Sequence, residues 1–436
     1  MQNALAGIPI QRWTLANGAQ VNLVESPVIP MVDIQIDFDA GARRDPAPQA
    51  GLASVTAGMA GKGLSSKPMN GKANSKDLSP MDENALGEAW ADLGASFGAS
   101  AGSDRMSFSL RSLTEPDLLN KALALAGRQM AEPAFPTAVW QRERQRLIAN
   151  LAEAARRPAT LAGKEFSKSI YGAHPYGFEM TEASLNAIAV DDMRALYRRH
   201  ILPCHAKVSV VGNLNREQAQ AAVLVLMAGL PSATGQCAAL PAVPEVSALT
   251  ASKDVSLPFD SAQAHVLIGQ PGFKRDDPDF FALTVGNYIL GGGGFVSRLT
   301  NEVREKRGLS YSVYSYFSPG LHAGAFTVGL QTRPDQAQQA VSVAKQVVAD
   351  FVAKGPTADE LKAAKDNLIG GFALLIDTNR KLLGNVANIA WNGLPLTYLD
   401  TWTQQVERVS VDDIKAAFAR KLQPERMVTV IVGAKP

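Results

Sequence analysis

The chain has 436 residues, of which 46% are hydrophobic and 19% are charged, and its formal net charge is +2. At ~150 residues per domain, this length predicts two or three domains of ordinary globular composition. The near-neutral charge gives no reason to expect a nucleic-acid partner. The sequence has no apolar run of about 18 residues, so no membrane span is expected.

The chain start and the two cysteines bear on the cellular compartment. Residues 1–6 lack the basic and apolar segments of a signal peptide, which leaves a cytoplasmic protein or one whose leader has been removed. Cys204 and Cys237 are too few for a disulfide framework, so they are either two free thiols or one bridge. A zinc site built on cysteine needs more ligands than these two.

Three segments in the first half of the chain have counterparts of the same type in the second half. They are a strand with a polar turn (residues 34–46 and 266–278), a strand with an alanine-rich helix (105–117 and 325–335), and a helix, a proline and a strand (191–212 and 412–433). The last pair aligns without gaps at a constant offset (412 − 191 = 221). In each copy, aspartates cap a short amphipathic helix, a proline ends it, and an apolar strand closes at a glycine.

The repeat predicts two tandem halves, each with the order strand, helix, two strands, three helices, strand. Residues 231–248 are rich in Pro, Ala, Ser and Gly and are predicted to link a first half (1–230) to a second half (249–436). Residues 65–80 are polar and interrupt the symmetry, which predicts an inserted surface loop, either disordered or facing a partner.

Motifs along nearly the whole chain resemble one family. They are WTLANG at residues 13–18, YGAHPYG at residues 171–177, and the segment GGGGFVSRLTNEVREKRGLSYSV at residues 291–313. Together they resemble the pitrilysin-like inverzincins, which include the mitochondrial processing peptidases and their bacterial relatives. The resemblance implies an α+β fold of two similar halves, each a mainly antiparallel sheet with helices packed on it.

The zinc site of the active relatives is missing from this chain. Active members carry H-x-x-E-H on a first-half helix, where two histidines hold zinc and the glutamate activates water. The matching positions hold Ser54, Ala57 and Gly58, and the distal glutamate ligand is replaced by Asn150, seven residues after Glu143. No metal is therefore expected in this chain.

No other catalytic motif replaces the lost site. None of the five histidines lies four residues from another, and His200 and His205, which flank a proline, are better explained as polar residues of a turn than as metal ligands. The sequence has no G-x-S-x-G elbow, and the glycine run lacks the Lys-Ser/Thr ending of a phosphate loop.

The resemblance assigns catalytic roles to Arg304 and Tyr311. In the family, an Arg and a Tyr seven residues apart meet the substrate opposite the zinc. We expect Gly308 to end the helix that carries Arg304, and Tyr311 to begin the next strand, out of phase with Tyr314 and Tyr316. The Arg fork would bind a peptide carbonyl or carboxylate, and the Tyr hydroxyl would donate to the oxyanion.

The glycine run before these residues has two interpretations. It consists of Gly291, Gly292, Gly293 and Gly294. A glycine-rich loop near this place is tied to substrate handling in the non-zinc subunits of processing peptidases, so we predict substrate binding here. A plain helix-to-helix turn is the alternative, because glycine adopts backbone conformations closed to other residues.

The expected function is that of the non-zinc subunit of a heterodimeric zinc metallopeptidase, inactive alone. A homologous partner subunit with H-x-x-E-H would carry the zinc and cut a peptide or unfolded polypeptide, and bacterial relatives of this size favour a periplasmic location. Two alternatives stay open: a non-enzymatic scaffold or peptide-binding subunit of the same fold, and a homodimeric zinc peptidase with unrecognised ligands.

Overall fold

The computed structural model describes residues 7–66, 79–231 and 237–433. These ranges contain eleven strands: β1 Gln11–Thr14, β2 Gln20–Glu25, β3 Met31–Phe38, β4 Ser96–Ala101, β5 Met106–Leu113, β6 Lys207–Gly212, β7 Lys253–Leu257, β8 Ala264–Pro271, β9 Ser312–Phe317, β10 Ala325–Thr332 and β11 Val428–Val432. The α-helices of the same ranges are α1 Leu52–Met59, α2 Glu83–Asp92, α3 Pro116–Ala131, α4 Thr137–Ala154, α5 Pro158–Tyr171, α6 Glu182–Ala187, α7 Val190–His200, α8 Arg216–Met227, α9 Phe280–Asn287, α10 Ala337–Lys354, α11 Ala358–Gly371, α12 Asn379–Trp391, α13 Tyr398–Arg408 and α14 Val411–Lys421.

The chain divides into two compact units, and each unit collects segments from both ends of the sequence. The first unit contains Met1–Ala149, Met180–Val243 and Ala373–Asp400, and the second contains Asn150–Glu179, Pro244–Phe372 and Thr401–Pro436. Helix α5 therefore belongs to the unit built mainly from the second half, and helix α12 to the unit built mainly from the first half.

The sheets of the two units have the same design. The first sheet has the strand order β1-β2-β6-β3-β5-β4 and the second has the order β7-β11-β8-β10-β9. In the first sheet only β2 and β6 run parallel, and in the second only β7 and β11 do. With helices packed on each sheet, the structure confirms the predicted α+β fold of two similar, mainly antiparallel halves.

The repeated segment at residues 191–212 and 412–433 forms the same local structure twice. It folds as α7 with β6 and as α14 with β11. The aspartates act inside the first turn rather than at the cap position: the Asp192 carboxylate accepts from Ala189 N–H at 2.8 Å, and the Asp413 carboxylate accepts from Ser410 N–H at 2.9 Å. Both copies thus satisfy a backbone donor that the helix itself leaves free.

The core of the first unit contains a row of aromatic rings. Phe108 meets Phe38 and Tyr197 edge-to-face, at centroid distances of 5.9 and 6.2 Å. Tyr197 is buried and satisfies its hydroxyl by donating to Met130 O at 2.6 Å. Edge-to-face rings add to the stabilisation from apolar burial, so this row ties helix α7 firmly to the sheet.

The core of the second unit includes helix α5. Phe166 and Ile170 are buried against Val428 and Val430 of strand β11. A side chain at Gly269 would lie within 2.9 Å of the Phe166 ring, so glycine lets the helix approach strand β8 closely.

Two segments singled out in the sequence are described only in part. The predicted insertion at residues 65–80 lies mostly outside the described residues, since positions 67–78 are not among them. Residues 237–248 of the predicted linker form no helix or strand. Across the described ranges, no helix has the length and apolar character needed to cross a bilayer.

Candidate functional site

Helix α1 carries the positions of the lost zinc motif. Ser54 and Gly58 are exposed and lie four residues apart, on one face of the helix, whereas Ala57 is buried at 2% exposure. Ser54 and Gly58 have a hydroxyl and a hydrogen where the active members have zinc-binding imidazoles. The methyl group of Ala57 cannot act as a general base. Helix α1 is therefore present in the fold, but it lacks the zinc ligands and the general base of the active members.

Asp45 stabilises the first turn of helix α1. Its carboxylate accepts from Gly51 N–H and Ala53 N–H, both at 2.9 Å, so it caps the first turn of α1. Just before it, Arg43 and Arg44 both pair with Asp39 at 2.6 Å. The residues that precede the motif position are therefore held by a structural network that needs no metal.

The distal ligand position lies on helix α4. Asn150 is exposed there and lies about two helical turns after Glu143, on the same face of the helix. Glu143 itself is engaged by Arg146 at 2.6 Å and Arg142 at 3.2 Å. A carboxamide is a poor ligand for zinc, which in proteins takes thiolate, imidazole or carboxylate.

One cluster of possible metal ligands does occur elsewhere in the described ranges. Cys204, His205 and Cys237 have ligand atoms that all lie within 4.8 Å of one another. The two cysteines are joined as a disulfide, with Cα atoms 5.9 Å apart. Of the two alternatives left by the sequence, free thiols or one bridge, the structure has the bridge.

Arg304 lies in a helix with an unusual backbone. The segment Thr300–Glu305 is π-helical, and Lys306 N–H donates to Asn301 O at 3.0 Å, five residues back. Gly308 follows with a φ of +61°, and its N–H donates to Arg304 O at 2.8 Å. The helix ends before Gly308, as predicted, and π-helical turns are often found at functional sites.

The Arg304 guanidinium contacts two aromatic rings. Its central carbon lies 4.8 Å from the centroid of Tyr311 and 4.8 Å from that of Phe295. The structure thus brings the two predicted catalytic residues together and adds Phe295. We refer to Phe295, Arg304 and Tyr311 as the Arg–Tyr cluster.

The cluster is open to solvent. Tyr311 is 81% exposed and Phe295 is 73% exposed, and the neighbouring Val296 is 75% exposed. Arg304, which is half-buried, also lies 3.3 Å from the exposed Glu305, and such a surface pair contributes little. The guanidinium carries five N–H donors, and a ligand carbonyl or carboxylate at this open surface can accept from them.

The other charges on this helix are already paired. Glu302 accepts from Lys306 and from Arg307, both at 2.6 Å, and these contacts lower the pKa of the Glu302 carboxyl. Arg298 is paired with Glu360 through two bonds of 2.6 Å. The Ser-Arg-Leu part of the motif is therefore structural, since Arg298 holds the start of this helix to α11.

Tyr311 precedes strand β9 rather than starting it. The strand begins at Ser312, and its residues alternate between exposed Tyr314 and Tyr316 and buried Val313 and Ser315. If the strand extended to Tyr311, alternation would place this side chain on the buried face with Val313 and Ser315. Tyr311 lies in the bend before the strand instead, and it is exposed. Tyr314 and Tyr316 stack on each other at 5.9 Å, and β9 is an edge strand.

The glycine run packs against this strand. Gly291 lies within the π-helical turn Tyr288–Gly292, and a β-carbon there would lie 2.5 Å from Ser315 N. Asn287 fixes the contact, because its side chain donates to Ser315 O at 3.1 Å and accepts from the Ser315 hydroxyl at 2.7 Å. Only Gly294 has a left-handed backbone, with φ of +61° and open space around it.

Sequence reasoning missed Phe295 and Val296. Both follow the glycine run directly, and two large apolar residues in a turn are a signal that was available in the sequence. What the sequence did not contain was their exposure or the contact of Phe295 with Arg304, which depends on how the turn folds back.

A solved structure decides the family of this chain. It is that of a peptidase M16 inactive domain from Pseudomonas fluorescens, which is 33% identical and covers 98% of each chain with a TM-score of 0.89. The chain belongs to the M16 peptidase family. The resemblance predicted from the sequence is thereby confirmed, and residues 187–368 also match the family model described as peptidase M16 inactive domain.

Two further M16 relatives differ in how they are described. An uncharacterized zinc protease of Streptomyces coelicolor is 30% identical over 298 residues, which span 67% of this chain and 64% of that protein. The non-peptidase homolog YmxG of Helicobacter pylori is 26% identical over 428 residues, 96% of this chain and 93% of that one. This M16 chain has the peptidase-like fold, and the positions of the catalytic zinc ligands of active members hold Ser54, Ala57, Gly58 and Asn150.

Proposed function

We propose that this M16 chain is the non-zinc subunit of a two-subunit zinc peptidase. Its partner would be a homologous chain with H-x-x-E-H and zinc. The Arg–Tyr cluster would bind the polypeptide substrate and stabilise the transition state of its cleavage. The observation that carries the proposal is the contact of Arg304 with Tyr311 in a chain whose zinc positions hold Ser54 and Gly58.

The exposure of the cluster supports a binding role. Tyr311 at 81% exposure and Phe295 at 73% bury little of their surface in this chain alone. Contiguous exposed apolar side chains beside a charge are typical of surfaces that meet a ligand or partner. An extended polypeptide fits this surface, because β9 is an edge strand and an edge strand can pair with an added strand.

The chemistry of the pair suits peptide hydrolysis. Attack of a zinc-bound water on a peptide carbonyl gives a tetrahedral intermediate with an oxyanion. The Tyr311 hydroxyl can donate one hydrogen bond to that oxygen, and the Arg304 fork can hold an adjacent carbonyl or carboxylate. Contact with Phe295 and Tyr311 would restrict the guanidinium before substrate arrives, which would reduce the entropy lost on binding.

The test is peptide cleavage by the two chains, measured separately and mixed. We expect activity only in the mixture, with Tyr311→Phe and Arg304→Ala each lowering kcat/KM by ~10²–10³, as for the loss of one oxyanion donor. The zinc content of a mixture that contains either variant should equal that of the mixture with the unaltered chain. Tyr316→Phe and Arg307→Ala are the matched controls, since they remove a like group outside the cluster and should change turnover little.

Each alternative gives a different result. Full activity of the partner without this chain would contradict the proposal. Unchanged turnover for both cluster variants, with the mixture still required, would favour a non-enzymatic scaffold. Stoichiometric zinc in this purified chain together with activity on its own would favour a homodimeric peptidase.

A further inference from the structure

The Cys204–Cys237 pair and His205 form a small half-buried cluster in the first unit, and the proposed peptidase role does not involve it. These are the only two cysteines of the 436-residue chain, and they meet across a sequence separation of 33 residues. His205 is adjacent in sequence to one of them, and each of the three side chains is partly accessible to solvent.

We propose that Cys204, His205 and Cys237 form a redox-gated zinc site. In the oxidised chain the two sulfurs are bonded to each other and cannot bind metal. In the reduced chain two thiolates and one imidazole would hold Zn²⁺, with water as the fourth ligand. Three protein ligands of the type Cys₂His with one open position are an established zinc arrangement in proteins.

The backbone around the cluster is already fixed on the Cys204 side. Pro203–His205 is a single 3-10 turn, in which Ala206 N–H donates to Pro203 O at 2.9 Å. The turn is packed against Gly18, where a β-carbon would lie 2.9 Å from Cys204 Cα. This packing orients Cys204 and His205 together, so binding would need to order only the third ligand.

The spacing of the ligand atoms suits a tetrahedral ion after a small adjustment. With zinc–sulfur bonds of ~2.3 Å, two thiolates of a tetrahedral site lie ~3.8 Å apart. The three ligand atoms already lie within 4.8 Å of one another, and the cysteine Cα atoms are 5.9 Å apart. Thiolate and imidazole ligands favour Zn²⁺ over Mg²⁺ or Ca²⁺, which prefer oxygen.

The gating step balances as thiol–disulfide exchange. A dithiol reductant gives two electrons to the Cys204–Cys237 bond, which breaks, and the reductant closes its own disulfide. Its two protons pass to the protein thiols. Zinc binding then releases those two protons to solvent, while neutral His205 supplies a lone pair.

The experiment measures zinc and cobalt binding by the full chain before and after reduction. Equilibrium dialysis of the reduced, metal-free chain should give about one Zn²⁺ per chain, and the oxidised chain should bind none at this site. Co²⁺ added to the reduced chain should produce thiolate-to-cobalt charge-transfer and tetrahedral d–d absorption bands. The cobalt spectrum uses the unaltered sequence, so it does not depend on a variant folding.

Variants assign the ligands. Cys204→Ser and Cys237→Ser should each abolish the charge-transfer band or weaken binding by at least ~10-fold, and His205→Ala should also weaken it by at least ~10-fold. His265→Ala, which removes a histidine on strand β8, is the matched control and should leave binding unchanged.

Three results would overturn the proposal. They are a reduced chain that binds no more zinc than Cys204→Ser, an oxidised chain that binds zinc as tightly as the reduced one, and full binding by His205→Ala. Thiol labelling that finds both cysteines free without any reductant would likewise remove the gating.

Discussion

The glycine run is the predicted site element whose role a single substitution can test most sharply. Gly291→Ala would put a β-carbon 2.5 Å from Ser315 N and 2.7 Å from Leu299 Cδ1. Real β-carbons keep at least 3.0 Å, so the π-helical turn or strand β9 must retreat by about 0.5 Å (3.0 − 2.5). Ser315 N belongs to backbone paired with β10, so the retreat would disturb the sheet.

The expected cost follows from this overpacking. Inserting a methyl into a packed site that cannot relax destabilises a protein by ~1–3 kcal/mol. Gly294→Ala is the matched control, because no atom lies within 4 Å of its β-carbon and only the backbone φ of +61° opposes the change. A left-handed backbone costs an alanine ~1–2 kcal/mol, and Asn tolerates it better.

The assay is urea unfolding of the full chain, monitored by circular dichroism for the unaltered protein and for each variant. We expect the loss of unfolding free energy to be largest for Gly291→Ala, smaller for Gly294→Ala and smallest for Gly294→Asn. A Gly291→Ala chain as stable as the unaltered protein would refute the packing argument. In that case substrate contact would become the better explanation of this glycine.

The remaining predictions concern stability in the first unit. Burial, with the Arg44 and Arg199 charges, lowers the pKa of His200 from 6.5 to about 4. The unfolded imidazole therefore gains its proton at a higher pH than the folded one, so this residue reduces stability as pH falls from 7 to 4, by at most about 3 kcal/mol. His200→Gln should flatten the fall in unfolding free energy over that window relative to the unaltered chain, and an identical pH profile would contradict the assignment. Asp45→Ala should cost ~1–2 kcal/mol in urea unfolding, because the first-turn N–H groups of Gly51 and Ala53 lose their acceptor. Asp45→Asn, which keeps one oxygen acceptor, should cost less, and equal losses in the two variants would argue against the capping role.

Much of the fold was readable from the sequence because its signals are local. The copies at residues 191–212 and 412–433 each contain a helix start, a proline and an apolar strand, and both fold as predicted. The absence of zinc ligands at Ser54, Ala57 and Gly58 follows from residue identity alone. Folding cannot supply an imidazole that the sequence lacks.

Other features arise only when distant segments meet. Nothing local marks α5 as a packing partner of β8 and β11, or α12 as part of the first unit, because the amphipathic pattern of a helix fixes which face is buried but not which sheet covers it. The Arg–Tyr cluster needed the turn that brings Phe295 to Arg304, and the Cys204–Cys237 bond needed a contact across 33 residues. The sequence by itself determined the repeat, the family and the loss of the zinc ligands. The tertiary structure decided which side chains share a surface. Those contacts depend on loop closure and on packing between distant segments, and no local sequence pattern specifies which distant segments meet.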